Sequence, residues 1–205
     1  YQVEDQTAGS VEAVNRLQPT WRFIGFLDDG DPDPAVLARR GVAVIGGLGQ
    51  LGELDAAYVL GIGGGPARVR VHDRIAAAGA AGDAATLVHP TAVLGGDVRL
   101  APGVLVAAGC HLTTNVEVGA HTHVNVACSV HHDTVVGELV TLSPGVLLNG
   151  DVVVEDHAWL GPGVIVGRGV RIGRGAVVGA GAVVLHDVPA GARAHGVPAR
   201  IQGAR

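Results

Sequence analysis

The chain has 205 residues, a net charge of −5, fourteen basic residues that are all Arg, and a mean hydropathy of +0.37. A mildly acidic chain with scattered Arg excludes a basic footprint for nucleic acid or an anionic membrane. No apolar run approaches the ~18 residues of a membrane span and no secretory leader pattern is visible, so a cytoplasmic location is expected. The sequence opens on Tyr1 and contains no Met, which reads as a chain whose true beginning is missing or processed.

The front of the chain alternates short strands with helices. Gly9 to Leu17 is predicted as a short helix. Trp21 to Leu27 (WRFIGFL) is predicted as a strand that ends in Asp28, Asp29 and Gly30. Gly41 to Ile45 and Tyr58 to Ile62 are two further strands, the latter followed by Gly63, Gly64 and Gly65. Pro66 suits the first turn of a helix over Ala67 to Ala78, closed by Gly79. This alternation points to a small parallel α/β domain over residues 1–85. Such sheets bind ligands at the carboxyl ends of their strands, where Asp28, Asp29, Gly63 and Gly64 fall. Ordinary turn chemistry explains the same residues equally well. The literal Gly47-x-Gly49-x-x-Gly52 follows a middle strand and lacks an acid about 20 residues on, so it reads as a glycine-rich loop and not as a dinucleotide fingerprint.

From Thr86 to Asp187 the sequence divides into six-residue blocks without an insertion or deletion. The third residue of every block is a branched aliphatic, from Val88, Leu94 and Leu100 to Val178 and Val184. The first is always Ala, Cys, Thr or Val, and the fourth is often Gly, as at Gly95, Gly119, Gly137, Gly161, Gly167, Gly173 and Gly179. A hexapeptide period indicates a parallel β-helix over 86–187, followed by a tail over 188–205. Residues one and three of a block share a strand face and point inward, while the remaining residues face out or make the corner, where Gly tolerates positive φ. Three blocks make one coil of eighteen residues, so residues eighteen apart stack. Cys110 and Cys128 should therefore stack inside as two buried thiols.

That stacking rule sorts the histidines. Gly150 should lie directly above His132, Asn149 above His131, and Asp151 above Asp133. A residue without a side chain above an outward-facing His leaves a gap at the imidazole and a backbone N–H beside it. Acyl transfer needs that pair: a base for the attacking nucleophile and a donor for the oxyanion. Asp133 could orient the ring and support its protonated form. The competing reading is a zinc site built from His121, His123 and His157, which would need three His at about 2.0–2.1 Å from one ion. The remaining choice, that His111, His121, His123, His157, His186 and His195 are exposed corner residues, is preferred for those six.

The stretch Val130 to Val154, VHHDTVVGELVTLSPGVLLNGDVVV, resembles the active-site segment of bacterial sugar O-/N-acyltransferases of the NeuD/PglD type. GFLDDG, IGGGPAR, LVHPTAV and the closing DVPAGARAHGVPARI are similar to that family's pattern in the same order. The resemblance implies a left-handed β-helix behind a Rossmann-like nucleotide-sugar module, assembled as a homotrimer with active sites between neighbouring β-helices. It also implies a front strand and glycine-rich turn that this sequence does not show. By position, His132 matches the general base, Asp133 the acid beside it, and Gly150 the glycine whose amide faces the thioester oxygen. Asp28, Asp29 and Gly63 match nucleotide-sugar contacts. Thr141, Pro162 and Ala180 match coenzyme A contacts, although some members carry His where Thr141 stands. The implied activity is transfer of an acetyl group from acetyl-CoA, without a metal, to the amine of a nucleotide-linked amino sugar. The alternatives are O-acetylation of a sialic-acid-type hydroxyl, a zinc lyase of the γ-carbonic anhydrase type, and a scaffold without catalysis.

Overall fold

Backbone pairing changes character near Leu87. The computed structural model describes residues 21–30, 32–39, 41–79 and 83–202, so the helix expected over Gly9–Leu17 lies outside the described residues. From Leu87 onward, two-residue strands recur every six residues on three faces. Face I carries Leu87–Val88 and its successors to Val177–Val178, then Arg193–His195 and Arg200–Gln202. Face II runs from Val93–Leu94 to Val183–Val184, and face III from Arg99–Leu100 to Arg171–Ile172. Pairing is parallel with a register of eighteen, as in Ser129 opposite Leu147 and Val130 opposite Leu148. The closing hairpin, Arg193–His195 against Arg200–Gln202, is antiparallel. The chain therefore folds over this region as the parallel β-helix that the repeat demanded.

Its interior is the set of first and third block positions. Val104, Val106, Cys110, Leu112 and their successors to Val184 form one buried cluster. Cys110 and Cys128 are free and buried; their thiols donate to Asn125 O at 2.9 Å and Ser143 O at 3.2 Å.

The corner residues fall into two kinds. From Asp97 to Gly181 positive φ belongs to the sixth position of the block. Asp97, Gly103, Gly109, Asn115, His121, Ala127, Asp133 and Leu139 all adopt it, and so on to Gly181. The fourth-position glycines meet a different constraint, the approach of the next coil. A Cβ on Gly95 would stand 2.1 Å from Thr113 O, and one on Gly161 2.7 Å from Ala180 N. Coil spacing, about 4.8 Å, leaves no room for a side chain where the backbone turns beneath its neighbour.

The α/β part is shorter in strand than its sequence suggests. β1 (Phe26–Leu27) pairs in parallel with β2 (Val44–Gly46) across a register irregularity, and α1 spans Pro34–Arg39. The glycine-rich Leu48–Glu53 is a 3-10 helix instead of a loop. Of the strand expected over Tyr58–Ile62, Tyr58 alone bridges, to Ala84. Trp21–Leu27 and Tyr58–Ile62 both line a cavity of about 700 Å³. α2 (Gly65–Ala77) follows the expectation closely, with Gly64 at its N-cap, Pro66 in its first turn and Gly79 at φ 59° beyond its end. No described helix is long and apolar enough to cross a membrane.

The α/β part packs on face I. Leu87 and Leu105 meet Trp21, Phe23 and Val59, and Leu139 joins Leu51, Leu60 and Ile75. This contact overturns the expected exposure of two histidines. His121 is 6% and His123 0% exposed, because the α/β part covers outward positions of the β-helix there. Tyr58 stacks on the His121 ring at 5.9 Å.

Candidate active site

The turns that join face II to face III carry the acid–base residues. Each turn leaves one backbone donor unspent. The sixth residue's N–H reaches back to the coil below, as Asp151 N–H does to His132 O at 2.9 Å, and the fourth residue's reaches the coil above, as Asn149 N–H does to Val166 O at 3.1 Å. The fifth residue's N–H joins no backbone ladder among the described residues. Glu138 and Arg174, at fifth positions elsewhere, give theirs to the carboxylates of Asp156 and Glu155. Gly150 is also a fifth residue, and no acceptor takes its N–H among the described residues.

His132 sits below Gly150 as the stacking required. A Cβ on Gly150 would lie 2.4 Å from His132 Nε2, so the bare glycine is what admits the ring. His132 Nδ1 and Asp133 Oδ2 are 2.7 Å apart. The left-handed backbone at Asp133, φ 59°, is tolerated by Asp more readily than by most residues. Asn115, one coil below, donates from Nδ2 to the other carboxylate oxygen of Asp133 at 2.6 Å. This amide, followed by the His132 contact, holds the Asp133 carboxyl below its usual pKa. Asp133 is thus an ionised acceptor at neutral pH, which places the proton of the neutral imidazole on Nδ1. Nε2 is left with its lone pair, facing Gly150. The His132 side chain is 43% exposed, open to a substrate.

Asp151 extends the cluster. Its Oδ2 accepts from Arg168 Nε at 2.7 Å and pairs with Nη2 at 2.6 Å. The ligand atoms of His132, Asp133 and Asp151 fall within 4.8 Å of one another, the one such group among the described residues. A cation there would compete with the Arg168 guanidinium and the Asn115 amide. His121, His123 and His157, the trio a zinc site would have used, form no such group.

The other expected contacts separate. Pro162 and Ala180 are exposed and stacked eighteen apart, in the turns from face I to face II. They stand on a different edge of the prism from His132. Thr141 is 3% exposed and its hydroxyl accepts from Arg68 Nη2 at 2.8 Å, beneath α2. Asp28 accepts from the N–H of Gly30 at 2.7 Å, a local turn. Asp29 is committed more widely: it accepts from Leu48 N–H at 2.9 Å and pairs with Arg74. Those two contacts, Leu48 first, lower its pKa. Gly63 is half-buried in the loop that enters α2. Sequence reasoning missed Asn115, Arg168 and Arg68. The first was within reach, since it lies eighteen before Asp133.

The family profile for the bacterial transferase hexapeptide (six repeats) matches residues 151–186. The perosamine N-acetyltransferase of Caulobacter crescentus, PerB, solved with CoA and GDP-perosamine, superposes with a TM-score of 0.85 at 33% identity, covering 98% of this chain and 93% of that one. The chain belongs to the hexapeptide-repeat sugar acyltransferase family. Among other members, the acetyltransferase domain of PglB from Neisseria gonorrhoeae, solved with acetyl coenzyme A, gives a TM-score of 0.85 at 26% identity, covering 98% of this chain and 94% of that one. GDP-perosamine N-acetyltransferase of Escherichia coli O157:H7 is 37% identical over 120 residues, 56% of this chain. That match spans about half of the Escherichia coli protein, 54% of its length.

Proposed function

We propose that this hexapeptide acyltransferase transfers an acetyl group from acetyl-CoA to the amine of a nucleotide-linked amino sugar, with His132 as general base. The observation that carries the reading is the His132–Asp133 pair with its free Nε2 aimed at the bare Gly150. Relatives that bind CoA with GDP-perosamine support the substrate class.

The amine nitrogen attacks the thioester carbonyl carbon, and His132 Nε2 takes its proton. Asp133 stabilises the resulting imidazolium through Nδ1–H. The Gly150 N–H donates to the oxyanion of the tetrahedral intermediate. On collapse the C–S bond breaks, and the imidazolium returns its proton to the CoA thiolate. Transfer is direct, since the two thiols, Cys110 and Cys128, are buried inside the β-helix and cannot carry the acyl group. No residue in this scheme requires a metal.

A homotrimer would place each site between two neighbouring β-helices. Pro162 and Ala180, proposed to contact CoA, lie on another edge of the prism from His132, so a CoA touching both kinds of residue would bridge two β-helices. Exposed Val93 and Ile165 on face II supply apolar surface for such packing. Asp28, Asp29 and Gly63 are proposed to hold the nucleotide sugar on the α/β part, with Asp29 fixed by Leu48 and Arg74. Thr141, engaged by Arg68, is left out of the CoA contacts.

The test is release of CoA thiol from acetyl-CoA against a panel of amino-sugar nucleotides, with His132→Ala as control. Release with one acceptor, lost by about 10²–10⁴-fold in the variant, supports the reading. Equal release by the variant would remove His132 from the mechanism.

A further inference from the structure

Among the described residues Arg68 is the largest fully buried side chain, at 0% exposure, and no carboxylate pairs with it. It is the fourth residue of α2, where the helix dipole disfavours a cation. Burial without a counter-ion is costly, and an apolar side chain of the same volume is often as stable or more so. Packing alone therefore does not account for an arginine here.

Its hydrogen bonds do. Nη1 donates to Ile62 O at 2.9 Å, in the loop that carries Gly63 and Gly64 into α2. Nη2 reaches three acceptors on the β-helix: Leu139 O at 3.1 Å, Val140 O at 2.9 Å and Thr141 Oγ1 at 2.8 Å. His123 Nδ1 stands 3.4 Å from Nη1, and its ring is kept neutral by burial. Nε has no partner among the described residues, so the head is oriented by its two terminal nitrogens. The fork thus spans from a loop of the α/β part to two backbone carbonyls and a hydroxyl of the β-helix. Gly65 is buried beside the same place; a Cβ there would stand 3.7 Å from Thr141 Oγ1 and 3.8 Å from Trp159 Cδ1.

We propose that Arg68 is a positioning residue: its planar fork holds the Ile62–Gly64 loop in fixed register with the β-helix, and so sets where the nucleotide sugar presents its amine. This rests on the proposed use of Gly63 in nucleotide-sugar binding. A lysine keeps the charge but offers one nitrogen in place of a fork, so it cannot hold both sides at once. Methionine fills the volume, buries no charge and secures folding if the lysine variant does not fold.

The experiment measures three quantities in wild type, Arg68→Lys and Arg68→Met: KM for the nucleotide sugar, affinity for CoA, and deuterium uptake across residues 58–68. The expected result is a KM raised about tenfold, the effect of losing a charged hydrogen bond, with CoA affinity within about twofold and faster uptake in the loop. Wild-type KM and uptake in Arg68→Met would overturn the proposal. Equal losses in CoA affinity and kcat would also overturn it, making Arg68 a general strut. If wild type accepts no nucleotide sugar, the functional reading fails by itself. The uptake measurement then still decides whether Arg68 orders the loop: faster uptake sustains that role and unchanged uptake removes it.

Discussion

Asn115 donates to Asp133 across one coil of the β-helix, Nδ2 to Oδ1 at 2.6 Å. The bond fixes one carboxylate oxygen and leaves the other for His132. Asn115→Ala should therefore lower kcat by about tenfold, since a single hydrogen bond to a charged group is at stake. KM for acetyl-CoA should hardly move. Asp133→Asn should cost more, because an amide can donate to Nδ1 and draw the ring into the wrong tautomer. Steady-state rates for the two variants check the ordering; equal rates would remove Asn115 from the orientation of the base.

Gly150 is the position where the smallest substitution should have the largest catalytic effect. Its φ is not among the positive ones, so alanine fits the backbone. The new Cβ would stand 2.4 Å from His132 Nε2 and must push the ring aside. Displacement of a base by about 1 Å can cost on the order of 10²-fold in rate. We expect a loss of that size in Gly150→Ala, with CoA binding by calorimetry unchanged. Full activity would mean that the base does not work from this rotamer.

Much of this site was legible because a β-helix makes arithmetic out of neighbourhood. A period of eighteen placed Gly150 over His132, and the same sum run downward reaches Asn115. The periodic pattern could not show what covers an outward position. His123 and Thr141 occupy second positions of their blocks, which face outward on every coil, and are buried because the α/β part lies on face I. Arg68 is separated from its partners on the β-helix by 71 to 73 residues with no repeat to relate them. The short strands at the front escaped for another reason. WRFIGFL has strand composition, but strand length depends on a partner, and β1 pairs with β2 over two residues only.

The two kinds of turn glycine should respond oppositely to substitution. Gly109 has φ 68° and open space around a prospective Cβ, so Gly109→Asn, a residue that tolerates this conformation, should change stability by less than about 0.5 kcal/mol. Gly161 has ordinary φ, but its Cβ would strike the Ala180 backbone at 2.7 Å. Gly161→Ala should destabilise by about 1–3 kcal/mol, as overpacking does where backbone must shift. Urea midpoints of the two variants measure the contrast, and a harmless Gly161→Ala would show that the coils can separate without cost.

The buried histidines at the junction between the α/β part and face I make stability fall with acid. Burial, then the neighbouring His72 and Arg68 charges, pushes His121 down to about 4; burial, then Arg68, pushes His123 down to about 3. Unfolded, each titrates near 6.5. The unfolded chain therefore binds more protons between these values, and stability rises with pH across that interval. The contribution is complete above about pH 6.5 and is lost as pH falls toward 4 and then 3. Each histidine adds a slope of up to about 1.4 kcal/mol per pH unit within its own window. His121→Asn removes one titrating group and keeps a residue suited to its left-handed backbone, φ 55°. Urea unfolding from pH 7 to pH 4 should give a shallower decline for the variant than for wild type. Parallel curves would show that His121 does not carry the decline between pH 7 and pH 4.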